Sequence, residues 1–380
     1  MITHRPVYDA DQKIFRRSVK RFLEQEVAPN FERWEADSIV DRELWHKAGQ
    51  AGLLCPQVPE EYGGTGDFRY NAVVIEECSY AGFAGPTGNF TAHSDVACGY
   101  VLDYGSEVIC STWLPQMLSG EAVCSIAMSE PAAGSDLQGL RTRAVRDGDE
   151  YVINGQKTFI SNGQHCDIAV VVARTDPDAG SRGMSLFLVE ADRPGFTRGR
   201  NLDKLGHHSA DTSELSFVDV RIPAGNLLGE EGRAMEYMMR ELPQERLIIA
   251  VASLAAAQKA FDITCEYVKN REAFGRMIGS MQHIRFTLAD LKAELAVGWA
   301  YLDQCLAELV AGELTTERAS IAKLWITEMQ GRLVDRCLQF FGGYGFMREY
   351  EISRLYADAR IQRIYGGTSE IMREIVSRSL

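Results

Sequence analysis

The spacing of hydrophobic residues along this chain changes twice, from helical to strand-like near Glu121 and back to helical after Gly232. In the middle segment, runs such as "DIAVVVART" and "SELSFVDVRI" have the length and the Val, Ile and Phe content of strands, and "EYVINGQKTFI" contains an Asn-Gly hairpin signal. Because helices and strands occur in separate blocks, the order predicts an α+β fold and disfavours the βαβ alternation of a dinucleotide-binding fold.

The two flanking segments carry apolar residues at helical spacing. In the first, one helix face is predicted to comprise Ile14, Val19, Phe22, Leu23 and Val27. In the last, leucines recur at heptad-like intervals, which fits a coiled coil, although several consecutive helices with short connections favour a bundle. The predicted units are an all-α domain at residues 1–120, a β domain at 121–230 and a helical bundle at 231–380.

Charge and cysteine content narrow the function classes. The 40 basic and 53 acidic residues give a net charge of -13, which argues against nucleic-acid binding because phosphate contacts need an excess of basic residues. The nine cysteines form no C-x-x-C pair, and the adjacent His207 and His208 lack metal-ligand spacing, so neither a metal site nor a redox dithiol is predicted. Dispersed cysteines fit reduced thiols in a cytosol-like compartment.

The N-terminal sequence has charges throughout and lacks the apolar core of a signal peptide. No uncharged apolar stretch approaches the length of about 18 residues that indicates a membrane span, so we expect no stable membrane insertion. The expected location is a prokaryotic cytoplasm, or the mitochondrial matrix if the chain is a processed form.

Three loops have both a functional and a structural interpretation. "AMSEPAAGSDLQGL", from Ala127 to Leu140, suits either a ligand loop or a turn-rich linker. In "KTFISNG", Phe159 could stack on a flat ring system, or it could belong with Ile160 to the core of the β domain. Arg271 could hold a phosphate, or it could complement the dipole at a helix C-terminus.

Two Gly-Gly steps lie near the end of the chain, in "QFFGGYGF" and "IYGGTSE". At such steps the backbone can approach a ligand without interference from a Cβ atom. After the second step, Thr368, Ser369 and Glu370 are predicted to begin a helix, whose free N–H groups could bind an anion.

Five motifs occur in order across essentially the whole chain: "SEPAAGSD", "INGQKTFISNG", "NREAFGRMIGSMQ", "QFFGGYGF" and "IYGGTSEIMREI". Together they closely resemble the acyl-CoA dehydrogenase family, and the run "ELPQERLIIA" is most similar to its long-chain members. The resemblance implies a helical domain, a central β-barrel or sandwich domain and a C-terminal four-helix bundle, with FAD between the latter two and reaching a neighbouring subunit. It also implies an acyl-CoA substrate, electron transfer to an electron-transferring flavoprotein, and a homotetramer.

The resemblance implies three groups of contacts. The segments around the flavin ring comprise Ile126, Met128, Ser129, Gly134, Ser135, Phe159, Ile160 and Ser161. Of the other cofactor contacts, Arg271 and Gln282 match residues that reach the FAD of another subunit, and Phe274 is a further contact. The pyrophosphate and adenine contacts comprise Gln339, Gly342, Gly343, Thr368 and Glu370. The acyl-CoA site comprises Ser135, Ser181, Arg182, Pro243, Gln244, Glu245, Arg246, Gly366 and Gly367. Because "AAGSD" replaces the family's usual "GAGSD", Ala133 is expected to have a backbone conformation that does not need glycine.

The implied reaction removes the α-proton of an acyl thioester while the β-hydrogen leaves as hydride, and it requires a carboxylate near Cα. In many members of the family this base is a glutamate at the position of Gly366. In the long-chain and isovaleryl branches the glutamate lies on a helix at the position of Glu245, so we expect Glu245 to be the base, with a raised pKa. The Gly366 N–H is expected to donate to the thioester carbonyl.

Other interpretations remain open. Glu245 could be a carboxylate in the first turn of a helix that begins at Pro243, where it would only complement the dipole. Ala92 matches a position near the bottom of the acyl pocket, which admits a long chain, but a short branched substrate of the isovaleryl type is the alternative. A flavin oxidase or monooxygenase on the same fold, or a protein that binds flavin without catalysis, are further alternatives.

Overall fold

The computed structural model of the chain describes residues 5–380, and the first four residues of the predicted N-terminal domain lie outside this range. A capping box of Asp9 and Gln12 starts the first of seven α-helices that precede the sheet. These helices are α1 (Ala10–Phe22), α2 (Phe31–Asp37), α3 (Arg42–Gln50), α4 (Phe68–Tyr80), α5 (Ala84–Thr91), α6 (Cys98–Tyr104) and α7 (Glu107–Ser119). Between α5 and α6 the chain forms a π-helix over Ala92–Ala97.

The predicted apolar face of α1 is correct except at its first position. Val19 and Phe22 are buried, and the buried Leu23 and Val27 extend the face through a π-helix, but Ile14 is 52% exposed. Ile14 precedes Val19 by five residues, which at 3.6 residues per turn places the two side chains on different faces. The prediction for Ile14 is therefore wrong.

The middle segment forms one sheet with strand order β6-β7-β3-β2-β4-β5-β8, in which β1 pairs in parallel with β4. Its strands are β1 (Cys124–Ala127), β2 (Arg143–Asp147), β3 (Glu150–Ser161), β4 (Ile168–Arg174), β5 (Met184–Glu190), β6 (Phe196–Asn201), β7 (Thr212–Pro223) and β8 (Leu227–Leu228). Along β4, Val170 and its alternate neighbours enter one hydrophobic cluster and Val171 and its neighbours enter another. The central strand is thus buried on both faces, which explains its nearly continuous apolar run.

The Asn-Gly pair in "EYVINGQKTFI" does not form the predicted hairpin turn. Strand β3 runs straight through it, and the turn between β2 and β3 contains Gly148, whose φ is +61°. At Gly155 the register with β7 shifts, and a Cβ atom there would lie 2.4 Å from the hydroxyl oxygen of Thr142. Glycine is therefore needed for a bulge and a close approach and not for a turn.

The last segment consists of three long helices, two short ones and a small hairpin. They are α8 (Ala234–Asn270), β9 (Glu272–Ala273), β10 (Arg276–Met277), α9 (Gln282–Val310), α10 (Thr316–Phe341), α11 (Glu351–Asp358) and α12 (Ser369–Ser377). Leu254, Leu295 and Leu333, one from each long helix, are buried in a cluster that also contains Trp34 of the N-terminal segment. The bundle interpretation is confirmed, and the coiled-coil alternative is wrong.

Helix α8 is long and apolar enough to cross a membrane by length and composition alone. However, 78% of its most apolar window is buried inside the fold, where α8 packs between α4 and α10. Its composition is accounted for by this core position.

Candidate functional site

Glu245 lies in the interior of α8, because the helix begins at Ala234 and continues through Pro243. The alternative in which Glu245 occupies the first turn of a helix is therefore wrong, and the helix dipole does not explain the residue. Its side chain is only 8% exposed, and its Oε1 atom accepts a hydrogen bond from the Tyr100 hydroxyl of α6 at 2.8 Å.

The environment of Glu245 gives it the proton affinity of a base that works near neutral pH. Burial raises the pKa of the Glu245 carboxyl to about 7, while the Tyr100 hydrogen bond and the positive charge of Arg246 oppose this shift. A carboxyl with such a pKa is partly ionised at neutral pH and becomes fully ionised above it, so it can accept a proton there.

Gly366 lies against the same face of α8. Its φ is +62°, and a Cβ atom at this position would lie 2.4 Å from Cδ1 of Ile249, one helical turn after Glu245. The next residue, Gly367, has φ of +96°. The left-handed backbone therefore favours glycine at 366, and a side chain there would have to displace the end of the Ile249 side chain. With glycine, the loop leaves the face beside Glu245 without a competing side chain.

Lys323 of α10 supports this loop, although no sequence motif pointed to it. The lysine is fully buried, and its Nζ atom donates to the carbonyl oxygens of Gly367 at 2.7 Å and Gln362 at 3.1 Å. Burial, together with the charge of Arg246, lowers the pKa of Lys323 to about 8. Arg246 is also buried, and its Nε atom has no hydrogen-bond partner in the described part of the chain. Of these two buried cations, Arg246 acts directly on the candidate base, and Lys323 lies beside Arg246.

The loop that carries Ser135 is held by a buried ion pair. Lys157 of β3 donates to Glu130 at 2.9 Å and to the Met128 carbonyl oxygen at 3.0 Å, and Glu130 also accepts from the backbone N–H groups of residues 141 and 142. Burial lowers the pKa of Lys157 to about 8, although the Glu130 charge opposes the shift. Gly134 and Ser135 are exposed at the tip, and Ala133 has no positive φ, as expected. These contacts hold both ends of the loop against the sheet.

Ser181 and Arg182 lie in a short 3-10 turn beside the start of α8. A Cβ atom on Gly232 would lie 2.5 Å from the Arg182 carbonyl oxygen, and the Gly232 N–H donates to Ser185 at 2.8 Å. At 1.5 Å per helical residue, the start of α8 is about 16 Å from Glu245. Helix α8 thus begins beside Ser181 and Arg182 and carries Glu245 about three turns later.

The predicted flavin-ring segments lie side by side at one part of the sheet. The Thr158 N–H donates to the Ser129 carbonyl oxygen at 2.9 Å, and the register of β3 shifts between Lys157 and Ile160. At this bulge Phe159 has φ of +60° and is 70% exposed, whereas Ile160 is buried. The core interpretation is therefore wrong for Phe159 and correct for Ile160, whose side chain faces the sheet interior.

A cleft of about 430 Å³ brings Arg271, Gln339, Gly342 and Gly343 together. Cβ atoms on either glycine would have no heavy atom within 4 Å. The backbone of this cleft is therefore accessible.

The remaining predicted cofactor residues are spread over the surface. Phe274 lies in the two-residue turn between β9 and β10 and is 95% exposed, Gln282 begins α9, and Thr368 caps α12, which confirms the predicted helix start. In the part of the chain that the structure describes, no hydrogen bond or ion pair joins the flavin-ring segments to the residues of the 430 Å³ cleft.

The residues present fit FAD. At the sheet, an exposed aromatic ring on a bulge with half-buried Met128, Ser129 and Ser161 beside it suits a flat, partly polar ring system. At the cleft, a guanidinium, an amide side chain and unobstructed glycine backbone form the donor set that a pyrophosphate needs.

Three family models match the chain: the N-terminal domain of acyl-CoA dehydrogenase over residues 9–121, the middle domain over 125–220 and the C-terminal domain over 232–380. The mitochondrial long-chain specific acyl-CoA dehydrogenase of Sus scrofa is 45% identical over 379 residues, which cover 99% of this chain and 88% of that protein. The mitochondrial isovaleryl-CoA dehydrogenase of Solanum tuberosum is 35% identical over 378 residues, 98% of this chain and 91% of that protein. The crystal structure of an acyl-CoA dehydrogenase from Geobacillus kaustophilus superposes with a TM-score of 0.97 at 44% identity, covering 99% of each chain.

Proposed function

Because this chain belongs to the acyl-CoA dehydrogenase family of FAD-dependent oxidoreductases, we propose that it oxidises a long-chain acyl-CoA to the trans-2-enoyl-CoA with Glu245 as the base. One observation carries the proposal: a buried carboxyl with a pKa near 7 lies on the face of α8 against which the Gly366 loop packs, and the left-handed glycine leaves that face free of a side chain. This is the arrangement that a base supplied by the helix requires.

The residues of the chain supply binding, orientation and proton acceptance. The ionised Glu245 carboxylate takes the α-proton, and the Gly366 N–H donates to the thioester oxygen, where negative charge develops. Lys323 fixes the loop that carries this donor through the Gly367 carbonyl. FAD, when bound, supplies the acceptor for the β-hydride.

Substrate length is proposed from the sequence around the base and from the relatives. The run that contains Glu245 resembles the long-chain branch, and identity is higher to a protein named for long-chain substrates than to one named for isovaleryl-CoA, at 45% and 35%.

A short branched substrate remains the second candidate because of the packing beside Ala92. The π-helix that begins there carries Asp95, which is buried and accepts a hydrogen bond from Asn71 at 2.6 Å. The cavity that both residues line has a volume of only about 10 Å³. This polar, tightly packed region next to Ala92 leaves little room for a long acyl chain on that side.

Anaerobic mixing of the FAD-loaded protein with acyl-CoAs of increasing length tests the proposal. We expect the flavin absorbance to bleach, fastest with long straight chains. Faster bleaching by isovaleryl-CoA would favour the second candidate, and no bleaching by any acyl-CoA would contradict the proposed reaction. The same chain-length series on acyl carrier protein tests whether the substrate thioester is carried by coenzyme A or by an acyl carrier protein.

The proposed electron acceptor is an electron-transferring flavoprotein, as in the family generally. The alternative is direct use of oxygen by an oxidase or monooxygenase. After anaerobic reduction by substrate, we expect slow reoxidation in air and fast reoxidation by an electron-transferring flavoprotein, and the opposite order would favour the alternative.

The proposed assembly is a homotetramer in which subunits complete each other's FAD sites. Support comes from the 430 Å³ cleft of Arg271, Gln339 and two glycines, because no hydrogen bond or ion pair in the described part of the chain joins it to the flavin-ring segments. The exposed aromatic rings of Phe274 and Phe346, at 95% and 83%, add to this support. The proposed location remains a reducing compartment, the prokaryotic cytoplasm or the mitochondrial matrix, in keeping with nine free cysteines.

A further inference from the structure

We propose that Tyr100 is a positioning residue that orients the Glu245 carboxyl group and stabilises its ionised form, an inference that rests on the proposed role of Glu245 as the base. Tyr100 lies on α6, is fully buried, and is 145 residues from Glu245 in the chain. Its hydroxyl donates to Oε1 of Glu245 at 2.8 Å.

This hydrogen bond makes the two carboxyl oxygens of Glu245 different from each other. Oε1 is held by the phenol, whereas Oε2 has no hydrogen-bond partner in the described part of the chain. Because a phenol is a donor toward a carboxylate, it fixes the carboxyl plane without occupying the oxygen that would receive the α-proton. A single donor therefore both limits the rotamers of the base and favours its charged form.

The same interaction recurs one turn along both helices. Tyr104 of α6 donates to Oε1 of Glu241 at 2.8 Å, so the two tyrosines of α6 pair with two glutamates of α8. Tyr104 also stacks on Tyr237 with a centroid distance of 4.1 Å. Tyr104 therefore offers a matched control, because it is a tyrosine bound to a glutamate of the same helix and is not bound to Glu245.

The titratable groups around Glu245 come from four elements. Tyr100 reaches it from α6, Arg246 and Glu241 interact with it from its own helix, and Lys323 of α10 lies beside Arg246. The π-helix contributes Asp95, whose carboxyl bonds to Asn71. Tyr100 is the one uncharged donor in this set that bonds directly to the Glu245 carboxyl, so its removal changes the proton affinity of the base without altering the net charge around it.

The effect on pH dependence has a definite sign. A donor to the carboxylate lowers the pKa of Glu245 relative to the same site without the donor, so removal of the phenol raises that pKa. The base must be ionised to accept a proton, and kcat/KM therefore falls as pH decreases through the pKa. In Tyr100→Phe the acidic limb of the plot of kcat/KM against pH should move to higher pH by about one unit, with about tenfold lower kcat/KM at pH values below the pKa.

The experiment compares kcat/KM against pH for the FAD-loaded wild type, Tyr100→Phe and Tyr104→Phe. We expect the limb to shift upward in Tyr100→Phe and to keep its wild-type position in Tyr104→Phe. An unshifted limb in Tyr100→Phe, or an equal shift in both variants, overturns the proposal. Turnover by Glu245→Gln would instead contradict the proposed function, so the two failures are distinguishable.

A second variant retains the shape of the Tyr100 side chain and should shift the acidic limb in the opposite direction. Replacement of Tyr100 by 3-fluorotyrosine makes the phenol a stronger donor, which should move the limb to lower pH. The Glu245 titration can also be followed without turnover as the carboxyl band in the infrared difference between wild type and Glu245→Gln. A band that titrates identically with tyrosine, 3-fluorotyrosine or phenylalanine at position 100 overturns the proposal.

Discussion

At the scale of single residues, the candidate base is maintained at a cost in stability. Glu245 is nearly excluded from solvent and has one phenol as its hydrogen-bond donor, so its charged form is poorly solvated. The pKa of Glu245 is about 7 in the folded chain, against 4.5 for an ordinary glutamate. Such a raised pKa is useful for proton abstraction and unfavourable for folding at high pH.

The stability prediction follows from this shift. The folded state binds the Glu245 proton more tightly than the unfolded state, so the stabilising contribution of this group is fully present below pH 4.5 and is lost as pH rises to about 7. Between pH 4 and pH 8, the free energy of unfolding of Glu245→Gln should therefore rise by roughly 3 kcal/mol relative to wild type. Urea titrations at several pH values measure the difference, and a difference independent of pH would contradict the shift.

Gly366 provides a second prediction at the same scale. In Gly366→Ala the residue must keep a left-handed backbone, which costs about 1–2 kcal/mol, and its Cβ atom displaces Ile249, so we expect both stability and turnover to fall. The variant Gly366→Ala/Ile249→Val lacks the clashing Cδ1 atom and should recover part of the stability. Gly312→Ala is the control for backbone strain alone, because φ is +72° there and nothing lies within 4 Å. Equal stability losses in Gly366→Ala and Gly312→Ala would show that the Ile249 contact is unimportant.

At the scale of elements, the loop proposed to contact the flavin ring and the substrate is attached to the sheet by the Lys157–Glu130 pair. Both side chains are almost fully buried, and together they join strand β3 to the two ends of the loop that contains Ser135. Breaking a buried pair by removing one partner leaves an uncompensated charge. The loop geometry therefore depends on both residues.

The corresponding prediction concerns Lys157→Met, which leaves Glu130 without its cation. We expect a loss of about 3–5 kcal/mol in unfolding free energy and weaker FAD retention, measured by denaturation and by flavin content after gel filtration. The double variant Lys157→Met/Glu130→Gln removes both charges and should be more stable than the single one. A single variant as stable as wild type would contradict the role of the pair.

The sequence predicted elements better than it predicted contacts between them. The order of helices and strands follows from apolar spacing, and Glu245 and Gly366 were found together because both lie in recognisable motifs. The prediction of a turn at Asn154–Gly155 was wrong because glycine is needed there for the close approach of Thr142, which is remote in the chain. Tyr100 and Lys323 gave no signal, since their partners lie 145 and 44 residues away and an isolated buried tyrosine or lysine has no pattern of its own.

At the scale of the whole molecule, two exposed aromatic side chains bear on the proposed assembly. Phe274 at the tip of the β9–β10 hairpin and Phe346 after α10 are 95% and 83% exposed. Both lie in segments adjoining the residues of the 430 Å³ cleft. We therefore expect assembly and FAD binding to be coupled.

Phe274→Asp tests this coupling. The charged side chain should disrupt the subunit contact, giving smaller species in analytical ultracentrifugation and less bound FAD per chain. Val108→Asp, at a 73% exposed position of α7, is the control and should remain assembled. A Phe274→Asp protein with wild-type mass and flavin content would contradict the proposal.

The proposed position of the base is on α8 and not in the glycine loop. Its most direct test is anaerobic mixing of FAD-loaded Glu245→Gln with a long-chain acyl-CoA, beside Glu241→Gln as a matched carboxyl variant one turn away. We expect Glu245→Gln to keep its flavin and bind the substrate without bleaching of the flavin absorbance, whereas Glu241→Gln should bleach. Bleaching of Glu245→Gln at the wild-type rate would contradict it.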